Sequence, residues 1–113
     1  MKPALRSAFA IELELASAAG AVGEHARSWS HLERAHILSQ AYAWPHVRVH
    51  WRMLAFAWRP RDLREILGQL ARIVVAAPGS WLGRAPLGNT GGADVGILTP
   101  MPIPADLQRI LDS

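Results

Sequence analysis

A chain of 113 residues, half of them apolar, is long enough for one domain with a buried core and too short for two. Twelve basic against nine acidic residues give a formal charge of +3, a mild bias that fits the solvated faces of helices. With no cysteine, disulfides, thiolate zinc sites, iron–sulfur clusters and cysteine nucleophiles are excluded, and any metal must be held by His, carboxylate, Met or solvent.

The opening stretch MKPALRSAFAIELELASAAG imitates a secretory signal, but Glu12 and Glu14 fall inside its apolar part, which argues against one. Pro3 instead opens a predicted helix that runs to the small-residue break near Gly20. At roughly 100° of rotation per residue, Leu5, Ala8, Phe9, Ile11, Leu15 and Ala16 define an apolar arc. Glu12 sits near the middle of that arc and Glu14 points away, so Glu12 is a candidate buried acid.

A second helix is expected from about Gly23 to Ala43, where the sequence AWP stops it. Ala26, Trp29, Leu32 and Ile37 share a face with His25, Glu33, His36 and Gln40, while Arg27 and Arg34 lie opposite and His31 falls on another side. Pro45 opens a third helix that continues to Arg59. Arg48, Arg52 and Arg59 cluster on one face, which puts His50 at the centre of the core side with His46 and Met53 flanking it. Two histidines at i and i+4 project side by side, the spacing used by helical metal sites for paired imidazoles.

Pro60 begins a fourth helix that Pro78-Gly79 should end near Ala77. Here Leu63, Ile66, Leu67, Leu70, Ile73, Val74 and Ala77 form a clean apolar face expected to point inward, with Glu65, Gln69 and Arg72 as a solvated stripe. The segment 78–103 is rich in glycine and proline and reads as an ordered strap, with Trp81, Leu82, Leu87, Val95, Ile97 and Leu98 to bury. A short helix over 104–113 closes the chain. The expected architecture is all-α: one domain over 1–113, a small four-helix up-and-down bundle of helical hairpins over 1–77 with an irregular C-terminal strap.

Several ionisable side chains thus point toward one small interior, and each must be paired, neutralised or metal-bound. The leading expectation is a metal site built from Glu33, His36, His46 and His50, with Glu12 as a fifth ligand and iron, copper or zinc as the ion. Glu33-x-x-His36 has the spacing of carboxylate-bundle metal sites, although the chain has no second Glu-x-x-His. Two other readings stay open: a polar core in which Glu33 is hydrogen-bonded to His46 or His50, or a polar groove for an organic ligand or peptide.

The glycines of PLGNTGGADVG match no phosphate-binding pattern and read as turn formers. No nucleophile arrangement of Ser, His and Asp is recognisable. Nucleic acid is disfavoured as a partner, since Arg48, Arg52, Arg59, Arg61 and Arg64 lack interleaved aromatics. The uncharged run IVVAAPGSWLG is too short to span a bilayer, so no membrane partner and a cytoplasmic location are expected. Trp29 and Trp58 read as core; Trp44, Trp51 and Trp81 could anchor the strap or a partner, a second copy of the chain or another protein.

The segments LERAHILSQ (32–40), HVRVHWRML (46–54), EILGQLARI (65–73) and PLGNTGGADV (86–95) resemble a family of small bacterial proteins catalogued only as a domain of unknown function. The likeness covers nearly the whole chain and lends no activity. It implies weight on Glu33, His36, Gln40, His46, His50, Glu65, Gln69 and the GNTGGA strap, and a setting of metal or stress resistance. SWSHLERAHIL also resembles one tetratricopeptide hairpin, which implies an interaction module, but the period is not repeated.

Overall fold

The computed structural model describes residues 1–58, 63–81, 89–92 and 99–113, the side chains of Trp58 and of 75–81 excepted. Among these residues the chain forms five α-helices and no strand: α1 (Pro3–Ala21), α2 (His25–Ser39), α3 (Ala43–Trp58), α4 (Leu63–Trp81) and α5 (Ala105–Asp112). Pro3 stands in the first turn of α1, where its missing N–H costs nothing. The helix ends in a Schellman turn: Glu24 N–H reaches Ala19 O at 2.9 Å and Gly23 N–H reaches Gly20 O at 3.2 Å. Gly23 takes φ 78°, a left-handed conformation that suits glycine.

Two helix boundaries differ from expectation around prolines. α3 begins at Ala43 rather than Pro45, because a proline in the first turn sacrifices only an N–H that has no intrahelical acceptor. α4 continues past Pro78 to Trp81 instead of stopping at Ala77, since a proline this close to the C-terminus removes one ladder bond and leaves the rest of the helix intact.

α1 packs along α2 and α3 along α4, with α2 on α3 joining the two pairs; α5 touches α1 and α2. Among the described helices α4 packs on α3 alone, so the four long helices make an open run of two hairpins and not a closed ring. The main core lies where α1, α2 and α3 meet: Phe9, Leu13, Ala16, Leu32, Ala35, Val49 and Met53, with Trp29 and Phe56 against it. Met53 is fully buried in this apolar cluster. A second cluster of Leu5, Ile37, Leu38 and Leu107 docks α5 onto the first hairpin, and a third, Leu54, Ala57 and Ile66, joins α3 to α4.

α4 is turned the opposite way from its hydrophobic pattern. Leu63, Leu67, Leu70 and Val74 are exposed by 70, 65, 44 and 74 %, whereas Gln69 and Arg72 of the expected solvated stripe are exposed by 0 and 7 %. Among the described side chains of that face, Ile66, and in part Ile73, keep the expected inward position, and the side chain of Ala77 lies outside the described residues. The reason lies across the hairpin, where α3 presents His50 to α4 and the amide of Gln69 is drawn in to meet it.

Of the expected strap, residues 89–92 and 99–103 are irregular and described; Leu82, Leu87, Val95, Ile97 and Leu98 lie outside the described residues, as do the side chains of Trp58 and Trp81 and all of Arg59 and Arg61. No described helix is long and apolar enough to cross a membrane.

Glu12 is buried at 7 % exposure, as its place on α1 predicts, but its partners were expected elsewhere. His31 Nδ1 donates to Glu12 Oε2 at 2.6 Å and Arg34 Nε to Glu12 Oε1 at 2.8 Å, while the Arg34 guanidinium also pairs with Asp106 of α5. A carboxylate this buried needs compensation, and these two side chains of α2 reach over to supply it. The result is a polar clasp of α1, α2 and α5.

Ile66→Ala should cost about 2–4 kcal/mol in urea denaturation, as a core truncation does, while Leu67→Gln stays within about 0.5 kcal/mol of wild type. The reverse ranking would mean that α4 faces the other way. Arg34, by hydrogen bond and charge, holds the Asp106 carboxyl below its usual 3.8. A depressed carboxyl stabilises the fold above its ordinary pKa and stops doing so as pH falls through the folded value. The melting-temperature gap between wild type and Asp106→Asn should therefore hold steady near neutrality, shrink with salt, and close below about pH 4. A gap that persists unchanged into acid would show that the ion pair does not contribute through its charge.

Candidate metal centre

Three of the expected ligands converge. His36 from α2 and His46 and His50 from α3 are exposed by 3, 6 and 2 %, and their Nε2 atoms form a triangle with sides of 2.9 Å (His36 to His46), 3.1 Å (His36 to His50) and 3.2 Å (His46 to His50). The i, i+4 pair on α3 supplies one edge, and α2 brings the third ring in from the neighbouring hairpin. Among the described residues this is the group of side chains whose ligand atoms lie close enough together to share an ion.

The outer ring nitrogens determine what the inner ones can be. His36 Nδ1 is 2.6 Å from the Asn89 carbonyl oxygen, which can only accept, so this nitrogen carries the proton and donates. His50 Nδ1 is 2.6 Å from Gln69 Oε1. The amide orientation is fixed by its other end: Gln69 Nε2 donates to Gly91 O at 2.7 Å and to Glu65 Oε1 at 3.2 Å, both acceptors. His50 Nδ1 is therefore also a donor. In their neutral forms both rings then present bare Nε2 lone pairs to each other at 3.1 Å, with no proton between them. His46 has at most one Nε2 proton to offer, so it cannot relieve all three edges.

Adding a proton to the cluster is opposed by its surroundings. Burial, more than the neighbouring charges of His50, His46 and Arg72, lowers His36 well below the usual imidazole value. Burial likewise takes His50 down to about 3, against the hydrogen bond it donates to Gln69 and with help from His46 and Arg72. Three neutral imidazoles crowded nitrogen to nitrogen are what a cation would satisfy. An ion shared by these three Nε2 atoms would be held by imidazole nitrogens of α2 and α3.

The strap completes the second layer. Asn89, itself 2 % exposed, accepts Gly91 N–H on Oδ1 at 2.8 Å and donates from Nδ2 to Thr99 O at 2.6 Å, which pins the turn that offers its carbonyl to His36. Gly91 takes φ 88° and lies on the ring of His36: a Cβ there would fall 2.6 Å from Cδ2, 2.8 Å from Cγ and 2.9 Å from Nε2. Gly91 thus has a packing reason that a reading of it as a turn former missed. Outer partners that fix the tautomer and direction of ligand rings are the usual support of a metal site.

The two expected carboxylates do not join the cluster. Glu12 is committed to His31 and Arg34. Glu33, one turn before His36, is half-buried, and its carboxylate lies outside the group of converging ligand atoms. Gln69 and Glu65, placed by helix periodicity on a solvated stripe, instead stand directly behind His50.

The chain belongs to the family described as protein of unknown function DUF3703, which matches residues 3–111. No curated protein and no solved structure matches it.

Gly91→Ala combines a left-handed backbone with a methyl group driven into the His36 ring, and should cost about 1–3 kcal/mol and displace the imidazole. Urea denaturation together with the His36 side-chain resonances in NMR would measure both effects. Wild-type stability and unshifted resonances in the variant would show that the strap does not close on the ring.

Proposed function

We propose that the chain binds one first-row transition-metal ion through Nε2 of His36, His46 and His50. The observation that supports this most strongly is the facing pair of Nε2 lone pairs on His36 and His50, 3.1 Å apart and both deprotonated because their Nδ1 atoms donate outward. Without a cation that arrangement opposes folding; with one it becomes a preorganised ligand set. A donor set made only of imidazoles suits zinc, copper, iron or nickel. Glu12 and Glu33 are left out of it, the first because its oxygens are used by Arg34 and His31.

Three protein donors on one side of an ion leave coordination positions open on the other, the condition for a catalytic centre. Iron or copper there would support oxidation chemistry, and zinc would support hydrolysis through an activated water. A metal-handling accessory role in the cytoplasm of a bacterium, within metal or stress resistance, uses the same site without turnover.

The test is elemental analysis of protein purified without affinity tag or chelator, with His50→Ala and Glu12→Gln prepared identically. About one equivalent of metal per chain is expected in wild type and in Glu12→Gln, and none in His50→Ala. Wild-type protein that arrives metal-free and takes up no added zinc, copper or iron would end this reading.

A further inference from the structure

α4 turns its polar stripe toward α3 and leaves its better apolar stripe on the outside. Between residues 63 and 74 its exposed residues are Leu63, Arg64, Leu67, Leu70, Ala71 and Val74. Four of these are large and apolar, one is small, and Arg64 carries the single charge. Large apolar side chains scattered singly over a surface need no explanation, but a contiguous row of them marks an interaction site.

The spacing of the row fits a helix. Leu63, Leu67, Leu70 and Val74 follow one another at intervals of four, three and four residues, the a and d positions of a heptad. A row confined to those positions is a narrow seam for one other helix, whereas a helix that faces a globular core shows a wider apolar face. The seam is about 16 Å long, three helical turns. α4 is continuous across it, and among the described helices it packs on α3 alone, which leaves the seam uncovered.

Four, three, four reads the same in both directions. A second α4 laid antiparallel sets Leu67 on Leu70 of the second copy and Leu63 on Val74 of the second copy, and the reciprocal pairs follow by symmetry. That is the self-complementary pattern of a two-fold interface. Charge selects the same orientation. Antiparallel pairing holds the two Arg64 side chains about 13 Å apart along the axis, beyond the Debye length at physiological salt, and opposes the helix dipoles. Parallel pairing would set the two arginines level with each other. An acidic helix of another protein would meet one cation along the seam, and so would a bilayer, where interfacial helices carry several.

We propose that α4 is a dimerisation helix, through which two copies of the chain associate in an antiparallel seam of Leu63, Leu67, Leu70 and Val74. One short seam lies at the small end of specific interfaces, so the dimer dissociates in the micromolar range. The seam lies on the side of α4 away from Gln69, so it forms with or without an ion at the histidines.

Sedimentation velocity of wild type from about 1 to about 300 μM should show the sedimentation coefficient rising from monomer toward dimer. Leu67→Gln and Leu63→Gln, each checked for helix content by circular dichroism, should each weaken association by about tenfold or more. Leu67→Lys and Leu70→Glu should be monomeric separately and associate when mixed, because antiparallel pairing sets the lysine against the glutamate. Wild type that stays monomeric over the whole range would overturn the proposal, and so would Leu67→Gln and Leu63→Gln that dimerise as wild type does. If Leu67→Gln fails to fold, the more exposed Leu63→Gln decides alone. A mixture that associates no better than its components would overturn the antiparallel pairing. Monomeric wild type that co-sediments with vesicles of anionic phospholipid would assign the seam to a bilayer and overturn the dimer as well.

Discussion

Three imidazole nitrogens within 3.2 Å of one another make a demand that the surrounding structure is built to meet. For the Nε2 atoms to face inward without protons, the Nδ1 atoms of His36 and His50 must each find an acceptor on the far side of the ring. One acceptor is the main-chain carbonyl of Asn89 and the other is the side-chain amide of Gln69. The second requirement turns α4, because the amide can reach His50 only if the stripe of Glu65, Gln69 and Arg72 faces the hairpin. Leu63, Leu67, Leu70 and Val74 are then carried to the outside. The first requirement holds residues 89–92 over α2, and the close approach of Gly91 to the His36 ring follows from it.

The centre was legible where the helix had one unambiguous charged face. On α3, the face of Arg48, Arg52 and Arg59 put His46, His50 and Met53 on the inward side, and all three are buried. On α2 the inward position of His36 and Gln40 was also readable, but His25 and Ala26 of the same expected face are exposed. Glu12 shows a different limit. Its burial follows from helix periodicity, whereas its partners depend on how α2 crosses α1, and that crossing brings Arg34 and His31 within reach. A helical wheel carries no information about which neighbour a buried group will meet. α4 shows the strongest conflict, since its leucines form the better hydrophobic stripe and yet lose the inward position to a hydrogen bond made by a single glutamine. A hydrophobic pattern indicates which side of a helix gains most from burial. It does not weigh that gain against the cost of leaving a buried imidazole N–H without an acceptor on the neighbouring helix.

Membership in a family with no assigned activity puts the functional argument on geometry and proton placement. The all-α class and the single run of helices were expected from proline and glycine punctuation. Of the expected up-and-down bundle the helical hairpins are present, while α4 packs on α3 alone among the described helices, and the centre lies where the second hairpin meets the first. Its residues come from positions 36, 46, 50, 69 and 89–91, which are far apart in the chain. An ion bound there would add a link between α2 and α3 beside the core they share, and would stabilise the domain by an amount that grows with the logarithm of its affinity.

The two outer supports differ in what drift in the sequence can do to them. His50 is held by a side chain, so any substitution at Gln69 alters or removes the acceptor. His36 is held by a peptide carbonyl, which every amino acid at position 89 would supply, provided the turn kept its path. The one position is constrained by functional group and the other by backbone shape. That second constraint is exercised through the Asn89 amide, which holds the turn on Gly91 N–H and Thr99 O, and through Gly91, where the hydrogen in place of a side chain keeps the ring's space open. In evolutionary terms the centre carries one chemically specified support and one conformationally specified support.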